Sequence, residues 1–385
     1  MSRTATLIRG ALCAAAGAFA ANAAAQIAVS ANDNKVRLDN GNTVVVANPP
    51  PDTATLIDLG ASPPKVLAEL NVPASVVGPP FSVAIAPDKS IALVTAAMKV
   101  DPNDATKTIP DNKLSVIDLT LSPPAVIATL EAGAGAAGVS VNRAGTLALV
   151  ANRNEGTVSV FTISGKTVTA AGKVKLGDEK SGPCHAVFTP DGKAALVTRD
   201  GDNTLTMLAI DGSKVEAKRD FFAGLRPYGA DIAADGAHAV VANIGRGVGD
   251  ADTVSVIDLK ANPVHVVETI TVGHTPEGLR LSPDGKVLAV LTHNGSAKAP
   301  QSPLYHEHGI LALYHLKGAH LTKFAEAPIG KWSQGIAFSR DGKTIVVQNM
   351  VERELQVFRL EGGKLRDTKQ PIKVNGGPAG IATGS

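Results

Sequence analysis

One short phrase recurs along the chain and constrains its fold more than any other feature. Between Thr275 and Asn294 it consists of a turn at Pro276-Glu277-Gly278, a short alternating strand, the tight turn Ser282-Pro283-Asp284-Gly285 and a returning apolar run, Val287 to Leu291. Proline presets a turn dihedral, aspartate bonds its own backbone and glycine takes a positive φ, so the phrase predicts a β-hairpin. Copies stand at Phe188 to Lys193, Ile232 to Gly236 and Phe338 to Lys343, with looser ones at Ile85 to Lys89 and Val141 to Gly145. Successive turn glycines from Gly145 to Gly342 lie 44 to 57 residues apart. Each hairpin is followed by strands such as Thr253 to Asp258, giving four strands per unit. Units of this length and content predict an all-β, seven-bladed β-propeller with four-stranded antiparallel blades.

The innermost strands are expected to start near Phe81, Gly138, Cys184, Tyr228, Glu277 and Gln334 in blades two to seven. Blade one is read as Lys35 to Leu38, Thr43 to Ala47, Thr55 to Leu59 and Val66 to Leu70. A further strand opening at Gly377 to Ile381 competes with the Val36 segment for the innermost place. The repeat phrase alone leaves that competition open.

Arg3 and Arg9 precede an Ala-rich apolar run and small-residue cleavage options, so residues 1–25 read as a signal peptide and 26–385 as one propeller domain. A periplasmic or secreted location follows, without membrane insertion once the leader is removed. The remaining chain carries 35 basic and 35 acidic residues and one cysteine, Cys184. That balance excludes the basic field nucleic-acid binding needs, and a single thiol excludes an internal disulfide. No cofactor motif is present, and none is expected.

The phrases Val150-Ala151-Asn152, Asn203-Thr204-Leu205 and Thr253 to Asp258, together with the Asp-Gly turns, resemble the YVTN-repeat propellers of exported bacterial proteins. The resemblance implies a fold rather than a chemistry. Ligands in such folds meet the loops at one mouth of the channel, and three long segments converge there: Met98 to Asp111, Ile244 to Asp252 and His293 to His308.

Aligning the innermost strands gives a ring of Phe81, Ala137, Cys184, Tyr228, Glu277, Gln334 and Ala379, with His185 one step on and Asp231 and Arg280 further along. Polar groups therefore gather on blades four to seven. Asp231 and Arg280 are expected to approach each other, either as an ion pair filling the channel or as part of a pocket. His293, His306 and His308 have no established zinc spacing, so no metal is expected there. Trp332 reads equally as a stacking platform or a cover for the blade edge. Cys184 reads as a small buried thiol, since its neighbour His185 should face the other way.

The phrase Gly182-Pro183-Cys184-His185, continuing to Phe188, Asp191 and Gly192, resembles the Gly-Pro-Arg-His phrase of the propeller lactonases related to 6-phosphogluconolactonase. That resemblance implies a histidine at His185, but places Cys184 where those proteins have arginine. It also leaves Thr198-Arg199-Asp200 where they have glutamate. Arg226 or Arg280 could supply the missing cation. The leading expectation is a binding or scaffold protein that meets a small molecule or protein partner through His185, Tyr228, Asp231, Glu277, Arg280, His293, His306, His308, Trp332 and Gln334. The alternative is a lactonase-type hydrolase with His185, Arg226, Glu277 and Arg280 as catalytic candidates.

Overall fold

A computed structural model describes residues 25–384, so residues 1–24 of the expected leader lie outside the described residues. Seven antiparallel sheets form the blades of one ring. Blade 4 shows the pattern: Pro183–Phe188 innermost, then Ala194–Arg199, Thr204–Asp211 and Lys214–Phe221. The innermost strands of blades 3, 5, 6 and 7 are Ala136–Val141, Pro227–Ile232, Gly278–Leu281 and Ser333–Phe338.

The repeated phrase earns its strand turns through local bonds. Asp284 Oδ1 accepts Lys286 N at 3.1 Å, Ser282 Oγ accepts Val287 N at 3.0 Å, and Gly285 sits at φ 70°. In blade 2, Lys89 takes the left-handed place at φ 60°, which is why that copy looks loose. A second repeated device is an asparagine ending the second strand. Asn152 Nδ2 donates to Thr157 and Ser159, and Asn243 Nδ2 to Thr253 and Ser255, tying second strand to third. Between sheets, fully buried Val, Leu, Ile and Ala side chains pack blade against blade.

Blade 1 corrects the sequence expectation. Its innermost strand is the C-terminal Gly377–Thr383, followed by Ile27–Asp33, Thr53–Asp58 and Lys65–Asn71. Ile27–Asp33 lies outside the repeat phrase, which is why the phrase does not mark it as a strand. The Val36–Asp39 and Asn42–Val45 strands form a separate hairpin, largely exposed, inserted between second and third strands. Its base is anchored by buried Lys35, whose Nζ pairs with Asp52 at 2.6 Å and Asp33 at 3.1 Å. Its apolar alternation mimics an innermost strand, but it stays outside the ring and packs through Val36 against Val76, Met350 and Ala379.

Met98 to Asp111 is likewise no loop. Strands Ile91–Asp101 and Asp104–Asp118 run on past the blade as a ladder, pairing Met98 with Pro110 and Val100 with Thr108. Ile244 to Asp252 and His293 to His308 remain loops. The tip of the blade 1 hairpin reaches the second of these, since a Cβ at Gly41 would overlap Ala299 N.

Candidate functional site

The innermost strands share a defect that aims side chains into the mouth. Register shifts fall between Ala136 and Val139, Pro183 and His185, Pro227 and Ala230, and Ser333 and Ile336. Each is a bulge, and bulges re-aim side chains. Two residues before the ring position the backbone turns left-handed in five successive blades, at Gly135, Gly182, Arg226, Thr275 and Trp332. Blades 3 and 4 use glycine there. Arg226, Thr275 and Trp332 hold the same conformation with φ of 56°, 56° and 50°, which is unfavourable for bulky residues.

On blades 3 to 5 the mouth holds a buried charge cluster. Asp200 stands just past the second strand of blade 4, and Arg153 occupies the equivalent place on blade 3. Arg153 Nη2 lies 2.9 Å from Asp200 Oδ1, and Arg226 Nη2 donates to Asp200 Oδ2 at 2.8 Å. Burial opposes ionisation of Asp200, but the two guanidiniums outweigh it and hold its carboxyl below the usual range. Arg153 Nη1 also donates to Cys184 Sγ at 2.7 Å, and that thiol donates to Asp200 Oδ1 at 3.1 Å. Burial pushes the Cys184 thiol well up, so it is a neutral donor and no nucleophile. Arg153 also lies over the Tyr228 ring, 5.6 Å from its centroid.

Glu277 is the buried carboxyl of this mouth, 8% exposed. Burial raises its pKa to about 8, against the opposing charges of Arg226 and Arg153. His293 Nε2 is 3.9 Å from Glu277 Oε2 and 3.0 Å from the Ser333 carbonyl. Burial lowers the His293 pKa to about 4, leaving it neutral. Beside the cluster opens a cavity of about 360 Å³ lined by Arg153, Lys180, Asp200, Asn203, Arg226 and Arg246, among others. Neither Lys180 nor Arg246 has an acidic partner within ion-pair distance among the described residues.

Deeper on the axis the structure separates residues that sequence placed together. Phe81 fills the channel, its ring stacked 4.1 Å from His185 on one side and 4.4 Å from the Arg280 guanidinium on the other. His185 is thus buried beneath Phe81; burial and then Arg280 lower its pKa to about 3. Asp231 and Arg280 come near enough for each to feel the other's charge, as expected of an approach, but they form no direct ion pair. The Asp231 carboxylate instead accepts the Ile232 and Leu281 amides, each at 2.9 Å, while Arg280 Nη2 reaches the Ile381 carbonyl at 3.3 Å. Backbone donors were nearer than the guanidinium and satisfy the acid.

His306 and His308 are exposed, whereas His293 is buried. Gln334 is buried, its Nε2 donating to the Trp332 carbonyl at 3.2 Å. Trp332 is half-buried against Val76, Met350 and Ala379. Of the residues singled out in the sequence, Arg226, Tyr228, Glu277 and His293 share the upper mouth. Arg153 and Asp200 were missed. Reading across the positions just past each second strand, as was done for the innermost strands, would have found Arg153, Asp200 and His293 together.

Residues 166–299 match the family described as Lactonase, 7-bladed beta-propeller. The likeness is to the lactonase propellers. A candidate 6-phosphogluconolactonase of Bacteroides fragilis superposes with TM-score 0.69 at 16% identity, covering 94% of this chain and 99% of that one. A second, from Bacteroides uniformis, gives 0.70 at 18% identity over 93% and 99%. The periplasmic gluconolactonase of Pseudomonas aeruginosa gives 0.67 at 17% identity over 93% and 98%. At such identities these likenesses establish the seven-bladed fold. No curated protein sequence matches significantly. The family match overturns the leading expectation of a binding or scaffold protein and favours the hydrolase alternative.

Proposed function

We propose that this protein is an exported lactonase-type hydrolase, opening a lactone ring with water at the blade 3 to 6 mouth. The observation that carries the reading is Glu277, a buried carboxyl that feels the charges of Arg153 and Arg226, in a chain matching lactonase propellers. A carboxyl tuned toward neutrality suits general acid–base work. Glu277 takes a proton from the attacking water as its oxygen bonds to the carbonyl carbon. The ring carbon–oxygen bond then breaks, and Glu277 returns the proton to the departing alkoxide. Arg153 and Arg226 polarise the carbonyl and hold the oxyanion; a guanidinium has five donors, so pairing with Asp200 leaves others free.

Lys180 and Arg246 beside the mouth favour a lactone carrying a carboxylate or phosphate. The periplasmic gluconolactonase among the structural relatives supports the same chemistry and compartment. The test is proton release from glucono-δ-lactone and its 6-phosphate by mature protein. Wild type should exceed the spontaneous rate, with the phosphorylated lactone preferred, and Glu277→Gln should lose roughly 10²–10⁴-fold. Equal rates for wild type and Glu277→Gln would remove the proposal.

A further inference from the structure

A second cavity, of about 230 Å³, lies between the blade 1 hairpin and blade 7, away from the Asp200 cluster. The hairpin contributes Val36, Arg37 and Leu38, and blade 7 contributes Trp332, Met350 and Arg353. Its walls are therefore an indole, a thioether and the three aliphatic side chains of Val36, Leu38 and Val351, together with the guanidiniums of Arg37 and Arg353. We propose that this cavity binds a small aromatic carboxylate, clamped between hairpin and blade.

Three observations select that ligand. An apolar cavity of about 150 Å³ is enough to hold a benzene ring, so this one has room for a ring and an acid group. The half-buried Trp332 offers a flat face, and Met350 adapts to aromatic edges. Arg353 is a cation without a carboxylate partner among the described residues, because its neighbours are engaged elsewhere. Glu352 accepts the Lys331 amide at 3.1 Å, and Glu354 pairs with Lys373 at 2.7 Å. Arg37 is held by exposed Asp39 at 3.2 Å, a weak pair that a buried carboxylate can replace. The inference does not depend on the lactonase reading, since none of these residues lines the cavity beside Asp200.

Trp332 is the only tryptophan in the chain, so intrinsic emission reports this cavity directly. Benzoate titrated to about 10 mM should change that emission saturably, and benzyl alcohol should bind at least about tenfold more weakly. Arg353→Asn removes the cation with a residue that tolerates positive φ, and should weaken benzoate at least about tenfold. Arg246→Ala, at the other cavity, should leave the titration unchanged. Should Trp332→Phe silence the signal, benzoate should still raise the melting temperature of that variant. The proposal falls if emission shows no saturation, if the alcohol binds equally, if Arg353→Asn binds as wild type, or if Arg246→Ala abolishes the response.

Discussion

Cys184 stands where the resembled lactonase phrase has arginine, yet the site does not lack a cation there. Arg153 arrives from the neighbouring blade, its Nη1 2.7 Å from the Cys184 sulfur, in space a longer side chain at 184 would fill. Arg153→Ala should therefore lower kcat/KM for the preferred lactone by about 10²–10³-fold, as losing one oxyanion donor does. Adding Cys184→Arg to that variant should restore part of the loss, and no recovery would show that the two positions are not interchangeable. Glu277 gives a second test with opposite signs for rate and stability. Its folded pKa of about 8 lies above the unfolded value, so the folded state binds the extra proton. Stability from this group is full below about pH 4.5 and declines as pH rises to about 8, while the basic form needed for catalysis grows over the upper part of that range. Activity should climb toward pH 8 as denaturant midpoints fall, and Glu277→Gln should flatten both. The sequence made Glu277 and Arg226 visible because they lie at the entries to the aligned innermost strands Gly278–Leu281 and Pro227–Ile232. Arg153 and Asp200 were harder to see because their partnership crosses from blade to blade and shows only when the ends of the second strands, Asn152 and Arg199, are aligned between repeats.

At the scale of elements, blades 2 to 7 could be read because each carries its own hairpin turn, most with an aspartate, and blades 3 and 5 add an asparagine clamp. Blade 1 resisted for the opposite reason: its four strands come from both ends of the chain. Val36 to Val45 has the alternation of an innermost strand, and only the ladder decides against it. Gly377–Thr383 pairs with Ile27–Asp33, from Thr383 opposite Ala28 to Gly377 opposite Asp33. Gln348 Nε2 then binds both Ser30 Oγ and the Gly380 carbonyl, stitching blade 7 to the closed blade. Ile381 is fully buried in the core between those blades, a contribution of about 1.5–3 kcal/mol by itself. Several ladder bonds add about 0.5–1.5 kcal/mol each. Deleting residues 376–385 should thus remove much of the roughly 5–15 kcal/mol typical of a whole domain and lower the melting temperature sharply. An unchanged melt would mean that the hairpin can close the ring unaided.

For the whole molecule, closure by both ends means that the ring has no preferred starting blade. Gly384 N donates to the Ile27 carbonyl at 3.0 Å, so the first and last strands already meet as the two arms of a hairpin. A short turn joining residue 384 to residue 26 would make blade 1 like its six neighbours. New ends can then be opened at Asp211-Gly212, the turn between third and fourth strands of blade 4, where Gly212 has φ 58° and open space around it. Exposed turns of this kind accept new termini with little disturbance. Such a permutant keeps every interface between blades and the full mouth from Arg153 to His293. It gives up only the covalent link within one outer hairpin. It should melt within a few degrees of wild type, as expected for a loss of about 1 kcal/mol or less, and should hydrolyse the preferred lactone at an equal rate. The contrast with the terminal deletion is the decisive comparison, since both alter the blade 1 closure but only one removes its strand. If the permutant failed to fold while the parent did, the order in which the blades form, rather than the closed ring alone, would be setting its stability.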